Sequence, residues 1–236
     1  MRLYRWTLLL LLWCCVLISC AERSTRTILA KPCGTALPRL TQAWRELHQA
    51  LQTQEGCALD KGVLCETLRR EIERLSVDCP NTPEVLMANA LLAYEGRDFV
   101  RTQQLLDELF SLGVRYPEAA ALRARIAMEQ GNTQFAIRFL DEQIRLRGDE
   151  AGLRETYASA LFLVGRFDEA KAQLAAAQQL GAPIWRIAYG LALIDESQER
   201  FTEAGAHYKQ ALTARPAWQP AESRLRALVA SGKVAP

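Results

Sequence analysis

Of the seven cysteines, the four beyond residue 20, Cys33, Cys57, Cys65 and Cys79, are the side chains with the most evident capacity for covalent or metal chemistry. No Cys-x-x-Cys pair occurs, and no histidine lies near them at ligand spacing, so the pattern does not fit a zinc site. An even number of cysteines suits two disulfides instead, with three connectivities open on paper. Catalytic chemistry has little to draw on. Of the two histidines, His48 falls on the polar side of an N-terminal helical pattern and His207 lies far down the chain, neither with an evident triad partner. There is no glycine-rich phosphate loop, no His-Glu-x-x-His and no Gly-x-Ser-x-Gly. The acid pairs Asp168/Glu169 and Asp195/Glu196 read as solvated helix ends. The expectation is a non-enzyme with no cofactor and no metal.

Residues 1–5 carry two arginines, and 6–18 form an uncharged apolar run. That is the layout of a secretory signal, and it is marginal for a membrane-spanning helix. Leu17-Ile18-Ser19-Cys20 resembles the lipobox of bacterial lipoproteins, in which the signal is cut before a cysteine that then carries lipid. Leu17 makes a cut after Ser19 a poor one for ordinary signal peptidase, which prefers small residues at −3 and −1. An uncleaved anchor helix and a plain secreted protein are the alternatives. The resemblance implies a signal peptide over 1–19, lipidation of Cys20, with palmitate among its acyl chains, and a place in the bacterial cell envelope. Ala21 after the cysteine, in place of Asp, implies the outer membrane, facing the periplasm. Without Arg2 and Arg5, the 29 basic residues fall to 27 and match the 27 acidic ones. A neutral mature chain has no bulk attraction to nucleic acid, and contact with the membrane is expected through the N-terminal lipid only.

Behind the cysteines stand two amphipathic patterns. Leu40, Trp44, Leu47 and Leu51 recur at helical spacing within 37–53, and Leu64, Leu68, Ile72 and Leu75 within 64–77. A connection of about ten residues folds them antiparallel. Cys33 then lies beside Cys79, and Cys57 meets Cys65 at the other end. Such pairing staples the hairpin twice in an oxidising compartment. Residues 20–32 read as the lipidated cysteine and a flexible tether, which spans roughly 20 Å as a coil.

The rest of the chain repeats. Phe99, Thr133, Phe167 and Phe201 stand 34 residues apart. So do Ala90, Ala124, Ala158 and Ala192; Thr102, Ala136, Ala170 and Ala204; and Leu106, Leu140, Leu174 and Tyr208. Small residues let two helices approach closely, and Gly96, Gly131 and Gly165 fall near the turns between them. A lone hairpin cannot bury both faces, so such units must stack. Gly165-Arg166-Phe167-Asp168-Glu169-Ala170 resembles the turn motif of tetratricopeptide repeats, and Pro216 matches that family's closing proline. Thr133 departs from the aromatic column, and Gln143 stands where the family has a small residue. The expected fold is all-α: a right-handed solenoid of stacked helical hairpins. Four repeats occupy 83–116, 117–150, 151–184 and 185–216. A disulfide-stapled helix pair at 33–82, a possible diverged repeat, precedes them, and a capping helix with a tail at 217–236 follows.

In the resembled family the first helix of each repeat lines a concave groove. Carried onto this register, the groove positions are Met87, Leu91 and Tyr94; Arg125 and Met128; Ser159 and Phe162; and Tyr189 and Leu193. Apolar and aromatic groups on such a face imply a protein partner, held by an extended or helical peptide. The layout of lipobox followed by repeats resembles lipoproteins that assist assembly of pilus secretins. It implies an envelope-anchored scaffold for a secretion, pilus or outer-membrane complex. A structural adaptor for cell-wall or envelope proteins, without an assembly role, is the alternative.

Overall fold

The computed structural model describes residues 42, 63–147 and 150–235. Among these the regular structure is helical throughout, with no strand. The helices are α1 Val63–Asp78, α2 Pro83–Glu95, α3 Phe99–Ser111, α4 Pro117–Glu129, α5 Thr133–Arg147, α6 Ala151–Leu163, α7 Phe167–Gln179, α8 Ile184–Ser197, α9 Phe201–Ala214 and α10 Gln219–Ala230. Each repeat window holds one helix pair, except that α8 starts at Ile184, the last residue of the third window. Pro83 and Pro117 open α2 and α4, where a missing N–H costs nothing and φ is already helical. Asp98 caps α3 by accepting the Arg101 N–H at 3.0 Å.

Three-residue connections reverse the chain inside each repeat. In all four, an N–H just past the turn reaches back to a carbonyl five residues earlier: Asp98 to Ala93, Asn132 to Ala127, Arg166 to Leu161 and Arg200 to Asp195. The residue before each donor takes a left-handed backbone, with φ of 58° at Arg97, 79° at Gly131, 75° at Gly165 and 59° at Glu199. Gly131 and Gly165 suit that conformation. Gly96 does not occupy it; its φ is −75°, and Arg97 carries the left-handed turn one residue later.

The helices pack most closely in the pairs α2/α3, α4/α5, α6/α7 and α8/α9, and each pair leans on the next. The result is a two-layered helical solenoid. One layer holds the first helices of the pairs (α2, α4, α6, α8) and the other the second helices. The small-residue columns from Ala90 and from Thr102, and the larger column from Leu106, are buried in every repeat. Where Thr133 interrupts the aromatic column, Phe135 and Phe139 stack at 5.6 Å, and Phe139 meets Phe110 of the preceding repeat edge-on at 6.4 Å. Gln143 is buried.

Both ends of the stack are covered. Leu68, Ile72 and Leu75 of α1 are buried, and α1 packs on α2. At the other end α10 buries Ala221 and Leu228 against Ala188, Ala204 and Tyr208. The residues beyond it fold back onto α9. Val234 sits so close over Gly205 that a Cβ there would come within 2.7 Å of its Cγ1, and Lys233 Nζ lies 4.0 Å from the Phe201 ring centre. Cys79 forms a disulfide. Cys20, Cys33, Cys57 and all of 37–53 except Gln42 lie outside the described residues, and with them the expected Cys33–Cys79 and Cys57–Cys65 pairings and the expected first helix. No described helix is long and apolar enough to cross a membrane.

Candidate functional site

The residues carried onto the groove lie on the first-helix layer, at the fifth, ninth and twelfth places of each repeat. The structure brings six of them to one cavity of about 280 Å³, formed where α2, α4, α6 and α8 lie side by side. Tyr94, Arg125, Met128, Ser159, Phe162 and Leu193 line it. Tyr189 lines an adjoining cavity with Phe162, Leu193, Glu196 and Arg224. Leu91 is half-buried against the α2–α4 core. Met87 is not a groove residue. It is fully buried in the core shared with Leu122 and Ile126 of α4, because the contact between the first two repeats closes over it.

The floor of the cavity contains residues that repeat register alone does not single out. Ala158, Leu174, Gly190 and Ile194 form its apolar base. Gly190 explains the opening. The equivalent places in the other repeats hold Ala88, Leu122 and Thr156, all buried. A Cβ at Gly190 would approach Leu174 Cδ1 to 2.9 Å, so the missing side chain leaves the tip of Leu174 facing the groove. An isolated glycine inside a helical pattern was the available sequence clue, since it costs about 1 kcal/mol against alanine.

Polar groups stand at both ends of this apolar stretch. At the N-terminal end the Tyr94 hydroxyl donates to Glu129, which also pairs with Arg97 at 3.4 Å. Burial, and then the Glu129 hydrogen bond, push the Tyr94 phenol up to about 12, so it stays a neutral donor at physiological pH. Burial also raises Glu95, against the pull of Arg125. At the C-terminal end Glu196 accepts from the Tyr208 hydroxyl at 2.6 Å and pairs with Arg224 of α10 at 3.2 Å. Trp185, Tyr189 and Trp218 cluster there, with both Trp185–Trp218 and Tyr189–Trp218 ring centres 4.6 Å apart.

Asp195 departs from the solvated helix end its sequence suggested: it is 3% exposed. Lys171 Nζ lies 3.1 Å from one carboxylate oxygen, Arg200 2.5 Å from the same one, and His207 Nδ1 2.8 Å from the other. Burial alone would raise this carboxyl, but the hydrogen bonds from Arg200, Lys171 and His207 outweigh it and hold Asp195 below the usual carboxylate range. A carboxylate so fully engaged ties α7, α8 and α9 together. Among the described residues no group of three His, Cys, Asp or Glu side chains could hold a metal ion.

The arrangement of stacked hairpins has counterparts among solved structures. TTC0263, a thermophilic TPR protein of Thermus thermophilus, superposes with a TM-score of 0.64 at 21% identity, over 80% of this chain and 99% of that one. The fold is a tetratricopeptide-repeat fold. YrrB, described as a TPR protein with an unusual peptide-binding site, matches over 68% of this chain and 83% of its own at 12% identity, with a TM-score of 0.48. No protein-family model and no curated protein matches the sequence. In TPR terms, the cavity lies on the face made by the first helices of all four repeats.

Proposed function

We propose that this protein is an interaction scaffold that holds an apolar peptide or helix of a partner protein in the groove between α4, α6 and α8. One observation carries the reading. Met128, Phe162 and Leu193 stand only partly buried around a preformed apolar cavity, at the place where the stack has Gly190 in a column that is buried in the other repeats. A cavity of about 280 Å³ lies at the lower bound for small-molecule sites and suits one or two side chains of a docking segment. Methionine at its rim adapts to differently shaped ligands.

The test compares two kinds of variant against a partner captured by cross-linking in native envelopes. Met128→Ala and Phe162→Ala should each weaken binding by about 2 kcal/mol, as for large apolar anchors, with the unfolding midpoint nearly unchanged. Ala170→Leu, which inserts bulk into a fully buried helix contact, should destabilise by about 1–3 kcal/mol without touching the groove. If Phe162→Ala unfolds the protein as badly as Ala170→Leu, Phe162 is core and the groove reading fails.

The proposed setting is the bacterial envelope, with the chain tethered through lipid on Cys20 at the outer membrane. The lipobox-like Leu17-Ile18-Ser19-Cys20 supports this. Its combination with the repeats supports a part in assembling a secretion, pilus or outer-membrane complex. Cys20→Ala should move the processed protein from the membrane to the soluble fraction, since one lipidated residue is the anchor proposed. Continued membrane attachment of a cleaved Cys20→Ala chain would contradict the tether.

A further inference from the structure

Charge sorts the groove into residues that are already satisfied and one that is not. Glu129 is held by Tyr94 and Arg97, Glu155 by Arg186 at 3.4 Å, and Glu196 by Tyr208 and Arg224. The first two sets link neighbouring repeats, and the third ties the last repeat to α10. Arg125 is different. It is exposed on α4 and lines the apolar cavity beside Met128 and Phe162, yet its guanidinium has no hydrogen-bond or ion-pair partner among the described residues. Glu95 and Tyr94 feel it through electrostatics alone.

We infer that the groove selects a partner segment carrying a carboxylate side chain about three residues from a large apolar anchor, the carboxylate pairing with Arg125. This rests on the groove reading above and adds the chemistry of the partner. The anchor fills the recess over Leu174 and Gly190, between α6 and α8. Arg125 stands on α4, one helix nearer the N-terminus. Packed helices lie about 8–10 Å apart, and an extended strand rises about 3.3 Å per residue, which sets the three-residue offset. A guanidinium offers two parallel donors to a carboxylate, and the apolar walls of the cavity strengthen that pair over one in open water. Docking of the segment removes water from Arg125, so a partner lacking the carboxylate would strand a charge. An acidic residue is therefore selected over a neutral one, and a basic residue is rejected.

The experiment uses the full chain and short synthetic peptides, acetylated and amidated so that no terminal charge remains. Each has a single Phe anchor in a Ser/Ala background, with Asp, Asn or Lys walked along the positions on either side. Fluorescence anisotropy should show Asp binding about tenfold tighter than Asn at offsets near three, and Lys weaker than both. Arg125→Glu, an exposed change that leaves the melting temperature in place, should reverse the order so that Lys binds best. Phe162→Ala should weaken every anchored peptide alike. If anchored peptides bind and lose affinity in Phe162→Ala, but do not distinguish Asp, Asn and Lys, the role given to Arg125 is wrong and the groove stands. An Asp preference that is equal at all offsets, or that survives Arg125→Glu, overturns it as well. If no anchored peptide binds, or Phe162→Ala changes nothing, the groove reading falls and this inference with it.

Discussion

Tyr208→Ala is expected to destabilise the protein by about 3–5 kcal/mol, the range for emptying a buried aromatic site. Tyr208 is completely buried among Ala188, Ala192, Ala211 and Leu228, with the Tyr189 ring 5.8 Å away. Its place in the other repeats holds Leu106, Leu140 and Leu174. The exchange of leucine for tyrosine follows from Glu196, whose own column otherwise reads Tyr94, Met128 and Phe162. Glu196 brings a carboxylate over the second helix, and the Tyr208 hydroxyl reaches out of the core to meet it. Tyr208→Phe keeps the ring and leaves Arg224 on Glu196, so it should cost about 1 kcal/mol. Because repeat arrays are held by nearest-neighbour contacts, the loss should fall first on α8–α10. Urea titration gives the two stabilities, and hydrogen exchange locates the opening. Equal costs for Ala and Phe at this position would show that the ring does not hold the end of the stack.

The Asp195 cluster carries the second large effect. In the other repeats the same position is Ala93, Ala127 and Leu161, so the last repeat puts a charge where its neighbours are apolar. Asp195→Ala removes the carboxylate that Lys171, Arg200 and His207 share. Stripping one partner from a buried pair costs about 3–5 kcal/mol; here Lys171, Arg200 and His207 are each about a third exposed, which lowers the expectation to about 2–3 kcal/mol. The pH dependence has a definite sign. A carboxyl held below its ordinary value contributes stability that is present above the unfolded pKa and is lost as pH falls through the folded one. Asp195→Asn, which cannot ionise, lacks that contribution. The stability gap between wild type and Asp195→Asn should thus be open at neutral pH and close as pH drops below about 4. Urea midpoints measured at successive pH values check it, and a gap unchanged at pH values well below that would refute the charged role.

Much of the architecture was legible because a repeat fold is local. The steric demand at each helix contact recurs every 34 residues, so the small column from Ala90 and the larger column from Leu106 announce themselves without long-range information. Helix starts at Pro83 and Pro117 follow from backbone chemistry alone. The face that could carry a groove came from the resemblance to tetratricopeptide repeats, and the period only carried its positions along the chain: side chains four and seven places on from the fifth residue of each repeat share one side of a helix. Depth was not. Met87 and Tyr189 hold equivalent positions, yet the first lies in the core and the second lines a cavity, because burial depends on how closely adjacent repeats approach. The recess at Gly190 needs Leu174 of another helix to have meaning, and Asp195 reads as an exposed acid until α7 and α9 bring Lys171 and His207 to it. Sequence period determined which residues face which side. Only the tertiary structure decided which of them water and a partner can reach, since that is a property of neighbouring helices and not of the chain segment itself.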